Sequence, residues 1–198
     1  MLVRHAKLCS ALVSSLVAVV TVLAADDAIS AESFSPALRS DFRVTTRDGI
    51  GIHVREVHIG NPSRREPLIL VHGARVPGIA SFDLKVPGGS LAEELARRTG
   101  RVVYVMDARG YGGSDRPAAM SRPPKESLPL SRAYEVVRDI DAVVAAARER
   151  QGTDTVALFG WASGGMWAGY YASLHPEQGG APDHVQCDLR WDDRTRNA

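Results

Sequence analysis

The stretch Thr155-Val156-Ala157-Leu158-Phe159-Gly160-Trp161-Ala162-Ser163-Gly164-Gly165 passes from a continuous apolar run straight into small residues. Such a run, closed by glycine, is the pattern of a strand buried on both faces in a parallel sheet. The small residues open a helix from Ser163 to about Leu174, which ends at His175-Pro176. Ser163 stands where a helix wants a hydroxyl cap. A strand that gives way to a helix this sharply forces the central residue of the turn into strained backbone geometry. The residues two before and two after it must then be small. Gly160 and Gly164 meet that demand around Ala162.

Two further runs read as buried strands, Pro67 to Val71 and Val102 to Met106. Helical segments separate the three. One runs from Ser90, a good N-cap, to Arg98 with Gly100 as its stop. A longer one, from about Ser131 to Arg150, carries Val136, Ile140, Val143, Val144 and Ala147 at helical spacing, which makes one buried stripe. Upstream, Phe42 to Thr46 and Ile52 to Ile59 alternate in polarity on either side of the turn dipeptide Asp48-Gly49, the pattern of an antiparallel hairpin at a sheet edge. Hairpin followed by strand, helix, strand, helix, strand, helix predicts an α/β fold: a mostly parallel sheet with helices on both faces. The segment Arg116 to Pro129 holds four prolines. It reads either as a surface loop over the carboxyl edge of the sheet, where such folds place their ligands, or as a passive connector.

The chain has 198 residues, 44% hydrophobic and 24% charged, which suits a single folded domain. Lys and Arg number 24 against 23 Asp and Glu, with no basic block, so nucleic acid is not an expected partner. Cys9 and Cys187 are the only cysteines, which excludes a disulfide scaffold and a structural zinc site. Neither a Gly-x-x-x-x-Gly-Lys loop nor a Gly-x-Gly-x-x-Gly opening a helix is present, so no cofactor is expected and the partner is a small-molecule substrate or ligand. Residues 1–25 have a short positive start and an apolar run ending in small residues, the layout of a secretory signal peptide. An uncleaved membrane anchor is the other reading, and the only membrane contact expected. Residues 26–41 read as a linker. The expected location is secreted or periplasmic.

Three segments at the carboxyl ends of predicted strands carry the chemistry. They are His72-Gly73-Ala74-Arg75, then Asp107-Ala108-Arg109-Gly110-Tyr111-Gly112-Gly113-Ser114, then the turn around Ala162. Their order and placement resemble the amino-terminal half of the α/β-hydrolase family, over about Phe42 to His175. The resemblance implies an oxyanion-binding site from the backbone amides of Gly73, Ala74 and Ser163, and hydrolysis of an ester- or amide-type bond. His72, Asp107, Arg109, Gly110 and Gly112 are expected to shape the site, with Gly160 and Gly164 making room for its turn.

The family's nucleophile, Ser, Asp or Cys, belongs at the position of Ala162, and a methyl group cannot attack a carbonyl. Ser163 is a weak substitute, because shifting the frame puts Trp161 where a small residue is needed. The resemblance also implies three more strands, with the acid after one and the catalytic His after the last. His175 and His184 lie too close to the elbow helix to be that His. Residues 42–177 therefore read as a partial, truncated domain, and 178–198 as an atypical tail beside an open sheet edge. Two functions are expected: hydrolysis in a full-length form, or a catalytically inactive member that binds a small molecule or partner around Trp161, Trp167 and Tyr111. The sequence sets neither the substrate nor the oligomeric state.

Overall fold

The computed structural model of the chain describes residues 35–62, 65–127 and 129–176, with the backbone of residues 186 and 187. The signal-peptide reading of residues 1–25, Cys9 included, and most of the 178–198 tail lie outside the described residues. In chain order the elements are β1 (Ala37–Thr45), β2 (Gly51–Ile59), β3 (Leu68–Val71), α1 (Gly78–Phe82), α2 (Leu91–Thr99), β4 (Val103–Met106), α3 (Ala133–Gln151), β5 (Ala157–Gly160), α4 (Ser163–Leu174) and β6 (Gln186–Cys187). They form a six-stranded sheet in the order β1-β2-β4-β3-β5-β6. The β1-β2 hairpin is antiparallel and β2 meets β4 antiparallel, while β3, β4, β5 and β6 run parallel.

The continuous apolar runs are explained by burial on both faces. In β3 and β4 successive side chains alternate between two cores, with Ile69, Val71, Tyr104 and Met106 on one face and Leu70, Val103 and Val105 on the other. The first face is covered by α3, through Val136, Ile140, Val143, Val144 and Ala147, and by α4, through Trp167, Ala168 and Tyr171. The second is covered by α1 and α2 through Phe82, Ala92 and Ala96. Each such aliphatic side chain contributes about 1.5–3 kcal/mol when fully buried, so the central strands hold both layers together.

Local signals set most boundaries. The Ser90 hydroxyl accepts from the Glu93 N–H at 3.1 Å, and Gly100 ends α2 in the left-handed region at φ 65°. Four points refine or correct the expectations. Strand β1 begins at Ala37, inside the segment read as linker. Its first half is paired with β2 and anchored by Arg39 on Asp83 and Glu93 rather than by apolar alternation. Helix α3 starts two residues after Ser131, whose hydroxyl is used to donate to the Arg109 carbonyl at 2.8 Å. Helix α1 was not anticipated, being a single short turn fixed by tertiary contacts. The fourth is the edge of β5, where Gln186 and Cys187 pair with Phe159 and Gly160; two residues of the tail thus extend the sheet where an open edge was expected.

Candidate functional site

The turn from β5 into α4 holds Ala162 at φ 51° and ψ −121°, one of three non-glycine residues at positive φ among those described. The two glycines flanking it have no room for a side chain. A Cβ on Gly160 would lie 2.5 Å from the Gly165 Cα, and one on Gly164 would overlap the Val71 carbonyl oxygen and sit 2.5 Å from that of His72. The turn is pressed against the end of β3, and the Trp161 N–H donates to the Val71 carbonyl at 3.0 Å. Ala162 is exposed at the apex, so the strained position faces outward with only a methyl group on it.

Ser163 is the first helical residue of α4, and Ala162 occupies the cap position without a side-chain cap bond. The expectation that Ser163 caps the helix is thereby corrected. The elbow uses one more residue than a simple cap, and the hydroxyl comes one position too late to reach the first-turn amides. Its backbone N–H belongs to that first turn, which has no carbonyl partner within the helix.

The first strand-end turn is packed directly onto this elbow. A Cβ on Gly73 would lie 3.0 Å from the Trp161 carbonyl oxygen, 3.1 Å from the Ala162 Cβ and 3.6 Å from the Ser163 nitrogen. Glycine is needed here for close approach. The positive φ of the turn falls at Arg75, 85°, and its N–H points at the Tyr111 hydroxyl at 3.5 Å. His72 is completely buried underneath. Its Nε2 accepts from the Ala108 N–H at 3.0 Å, which leaves the proton on Nδ1 to donate to the Gly73 carbonyl at 2.6 Å. Burial holds its pKa below the ordinary histidine range, against the opposing pull of the Gly73 carbonyl and the Asp107 charge. With both nitrogens engaged, a neutral His72 ties the Gly73 turn to the loop after β4.

That loop is fixed by its two charged residues. The Asp107 carboxylate accepts from the Gly78 N–H at 2.7 Å, the Gly113 N–H at 2.9 Å and His53 Nδ1 at 2.9 Å. Gly112, at φ 47°, lies so close to the carboxylate that a Cβ would collide with it. Gly110, at φ 83°, turns the chain beside Met120. Arg109 is buried and forms ion pairs with Asp139 at 2.7 Å and Asp48 at 2.7 Å. Hydrogen bonds from Arg109 hold the Asp48 carboxyl well below the usual range; burial pushes Asp139 up, opposed by the same arginine. The loop therefore joins the hairpin, α1 and α3 to the sheet.

Beside the elbow opens a cleft of about 510 Å³ lined by Gly73, Ala74, Val76, Ser81, Phe82, Leu91, Phe159, Trp161 and Ala162. It unites three residues anticipated from the sequence, Gly73, Ala74 and Ala162, with Trp161. Trp167 and Tyr111 are not part of it, contrary to expectation: Trp167 faces the core as the buried side of α4, and Tyr111 packs its ring on His72 at 4.9 Å. No described residue of the proline-rich segment lines it either. The walls that sequence reasoning missed, Val76, Phe82, Leu91 and Phe159, come from four different segments. The one signal for the first three was a set of apolar residues between Val76 and Leu91 without any periodicity, while Phe159 reads only as part of a buried strand. A second groove of about 520 Å³, between the hairpin turn and α3, is lined by Asp48, Arg138, Asp141 and His175 among others and does not reach the elbow.

Residues 66–187 match the family model of the alpha/beta hydrolase fold. The chain belongs to the alpha/beta hydrolase family. Solved structures of similar fold include an alpha/beta hydrolase from Novosphingobium aromaticivorans, with TM-score 0.50 and 22% identity, over 70% of this chain and 41% of that one. An esterase of Pyrococcus furiosus has TM-score 0.53 and 17% identity, over 74% of this chain and 50% of that one. An epoxide hydrolase from an endophytic Streptomyces has TM-score 0.49 and 28% identity, over 71% of this chain and 35% of that one. The chain thus spans half or less of the length of these hydrolases. No curated protein matches the sequence. Within this member of the family, Ala162 stands at the apex of the turn from β5 into α4, with Gly73 packed beside it.

Proposed function

We propose that this chain is an exported member of the alpha/beta hydrolase family that binds ester- or amide-type carbonyl compounds at the elbow without cleaving them. The observation that carries the proposal is Ala162 at positive φ with Gly73 packed against it. Holding a non-glycine residue in such a conformation costs about 1–3 kcal/mol. The Ser163 nitrogen lies 3.6 Å from where a Cβ on Gly73 would stand, and this reading takes its N–H as a donor to the carbonyl oxygen. What is missing is the attacking atom. Among the described residues the only histidine at the elbow is His72, whose two nitrogens are already engaged; His175 lies at the far end of α4, about 18 Å along a helix of twelve residues. Hydrolysis of an ester or amide is assigned to a form of the protein that carries nucleophile, acid and base together. Export rests on the layout of residues 1–25.

A serine-directed fluorophosphonate tests the reading. Ser163 is part-buried and displaced from the apex, so no adduct on the intact chain is expected by mass spectrometry. A stoichiometric adduct on Ser163 would restore a nucleophile to the site and overturn the proposal.

A further inference from the structure

Away from the elbow, we infer that the groove between the hairpin turn and α3 binds a small organic monocarboxylate, its charged head held by Arg47 and Arg138 and its apolar body laid along α3. The groove encloses about 520 Å³, a volume that suits a small molecule. Its helical wall is made of Arg138, Asp141, Ala142 and Ala145, which recur at three- and four-residue spacing and so share one side of α3. The two alanines are short, and that leaves the hollow. The opposite wall is the turn at Arg47 and Asp48, and it is fixed from behind. Asp48 accepts from Arg109 at 2.7 and 3.1 Å and from the Thr46 hydroxyl at 2.7 Å. A wall set before binding spares the ligand the cost of ordering it.

The charges of the groove offer a ligand donors in preference to acceptors. The side chains of Asp48 and Asp141 are only 32% and 24% exposed, and protein donors already occupy them. Asp48 accepts from Arg138 at 3.2 Å as well as from Arg109, and Asp141 accepts from the Tyr171 hydroxyl at 3.4 Å. The guanidinium groups are the outward members, 91% exposed at Arg47 and 52% at Arg138. Among the described residues Arg47 meets only Asp141, at 3.6 Å, which is longer than a hydrogen bond. Its fork of N–H donors matches the two oxygens of a carboxylate. The same charges limit the head to one negative charge. Hydrogen bonds from Arg109 keep Asp48 ionised, and Asp141 lies beside Arg47, so a dianion would meet two carboxylates along with the two arginines. Behind the head, Val137, Ala142 and Ala145 offer an apolar floor, and His175, its ring stacked on Tyr171 at 4.6 Å, adds an aromatic surface.

The test is an amide-resolved NMR titration of the full chain with hexanoate, hexan-1-ol and hexyl phosphate at about pH 8, where the phosphate is a dianion. Hexanoate is expected to give saturable shifts at Arg47, Arg138 and Ala142 and to bind at least about tenfold more tightly than hexan-1-ol, the ratio that one charge-assisted hydrogen bond supplies. Hexyl phosphate is expected to bind no more tightly than hexanoate. Replacing both arginines, Arg47→Gln with Arg138→Gln, should bring hexanoate down to the affinity of hexan-1-ol. Ala142→Leu keeps both arginines and fills the hollow, and should weaken hexanoate and hexan-1-ol together. Equal binding of hexan-1-ol and hexanoate to the parent chain would overturn carboxylate recognition, and tighter binding of hexyl phosphate would overturn the single-charge assignment. Shifts confined to Gly73 and Ala162, or no saturable shift with hexanoate, would overturn the groove as a site. Each of these results leaves the carbonyl-binding reading of the elbow standing.

Discussion

Asp139→Ala is expected to destabilise the protein by about 3–5 kcal/mol, the usual cost of removing one partner from a buried ion pair. Asp139 is fully buried on α3 and accepts from Arg109 three times, at Nε, at a terminal guanidinium nitrogen and at the backbone N–H, at 2.9, 2.7 and 3.0 Å. Without it the buried Arg109 keeps only Asp48, and its backbone N–H loses its acceptor. Each of those losses is a desolvated polar group without a partner. The same change at Asp48, whose side chain is about one third exposed, leaves water to replace it and should cost much less. Urea unfolding of the two variants against the parent chain reads the difference. A loss below about 1 kcal/mol for Asp139→Ala would show that α3 is not held to the loop after β4 through this pair.

Gly164→Ala carries the second large effect, with a sign opposite to helix propensity. In an ordinary helix position the change from glycine to alanine stabilises by up to about 1 kcal/mol. Here the new methyl would meet the backbone carbonyls of Val71 and His72, which cannot swing aside as a flexible side chain would. Either α4 moves away from β3 or the Gly73 turn is displaced. Overpacking of this kind costs about 1–3 kcal/mol and occasionally more. Thermal unfolding should show a lower midpoint, and ester binding should fall in parallel, because the Gly73–Ala162 contact is the geometry that is lost. An unchanged or raised midpoint would mean that the elbow has slack which these contacts do not allow.

The central strands and the elbow were legible because their signals are local. Leu68 to Val71 and Val103 to Met106 are apolar at every position since both faces of the sheet are covered, and Gly160 and Gly164 sit at a spacing that only a sharp turn demands. Ser90 and Gly100 marked the ends of α2 for the same reason. What was not legible depends on partners distant in sequence. The start of β1 is held by Arg39 reaching Asp83. The short α1 is held by Asp107 accepting from Gly78. Ser163 reads as a cap until the backbone of Ala162 takes that place. The turn residues of the site were visible as Gly73, Ala74 and Ala162, whereas its walls, assembled from Phe82, Leu91 and Phe159, had no common motif to announce them.

The claim that this chain binds carbonyl compounds without cleaving them is tested most directly by following 4-nitrophenyl butyrate with the parent chain and with Ala162→Ser side by side. A hydroxyl at the apex is weak without a base to take its proton, and the described residues supply none. Both proteins are therefore expected to release nitrophenolate at the rate of buffer, at most with a single stoichiometric release from the serine variant, and the remaining ester should be recovered intact. Repeated turnover by either protein would contradict the account and would mean that the chain carries a complete catalytic apparatus.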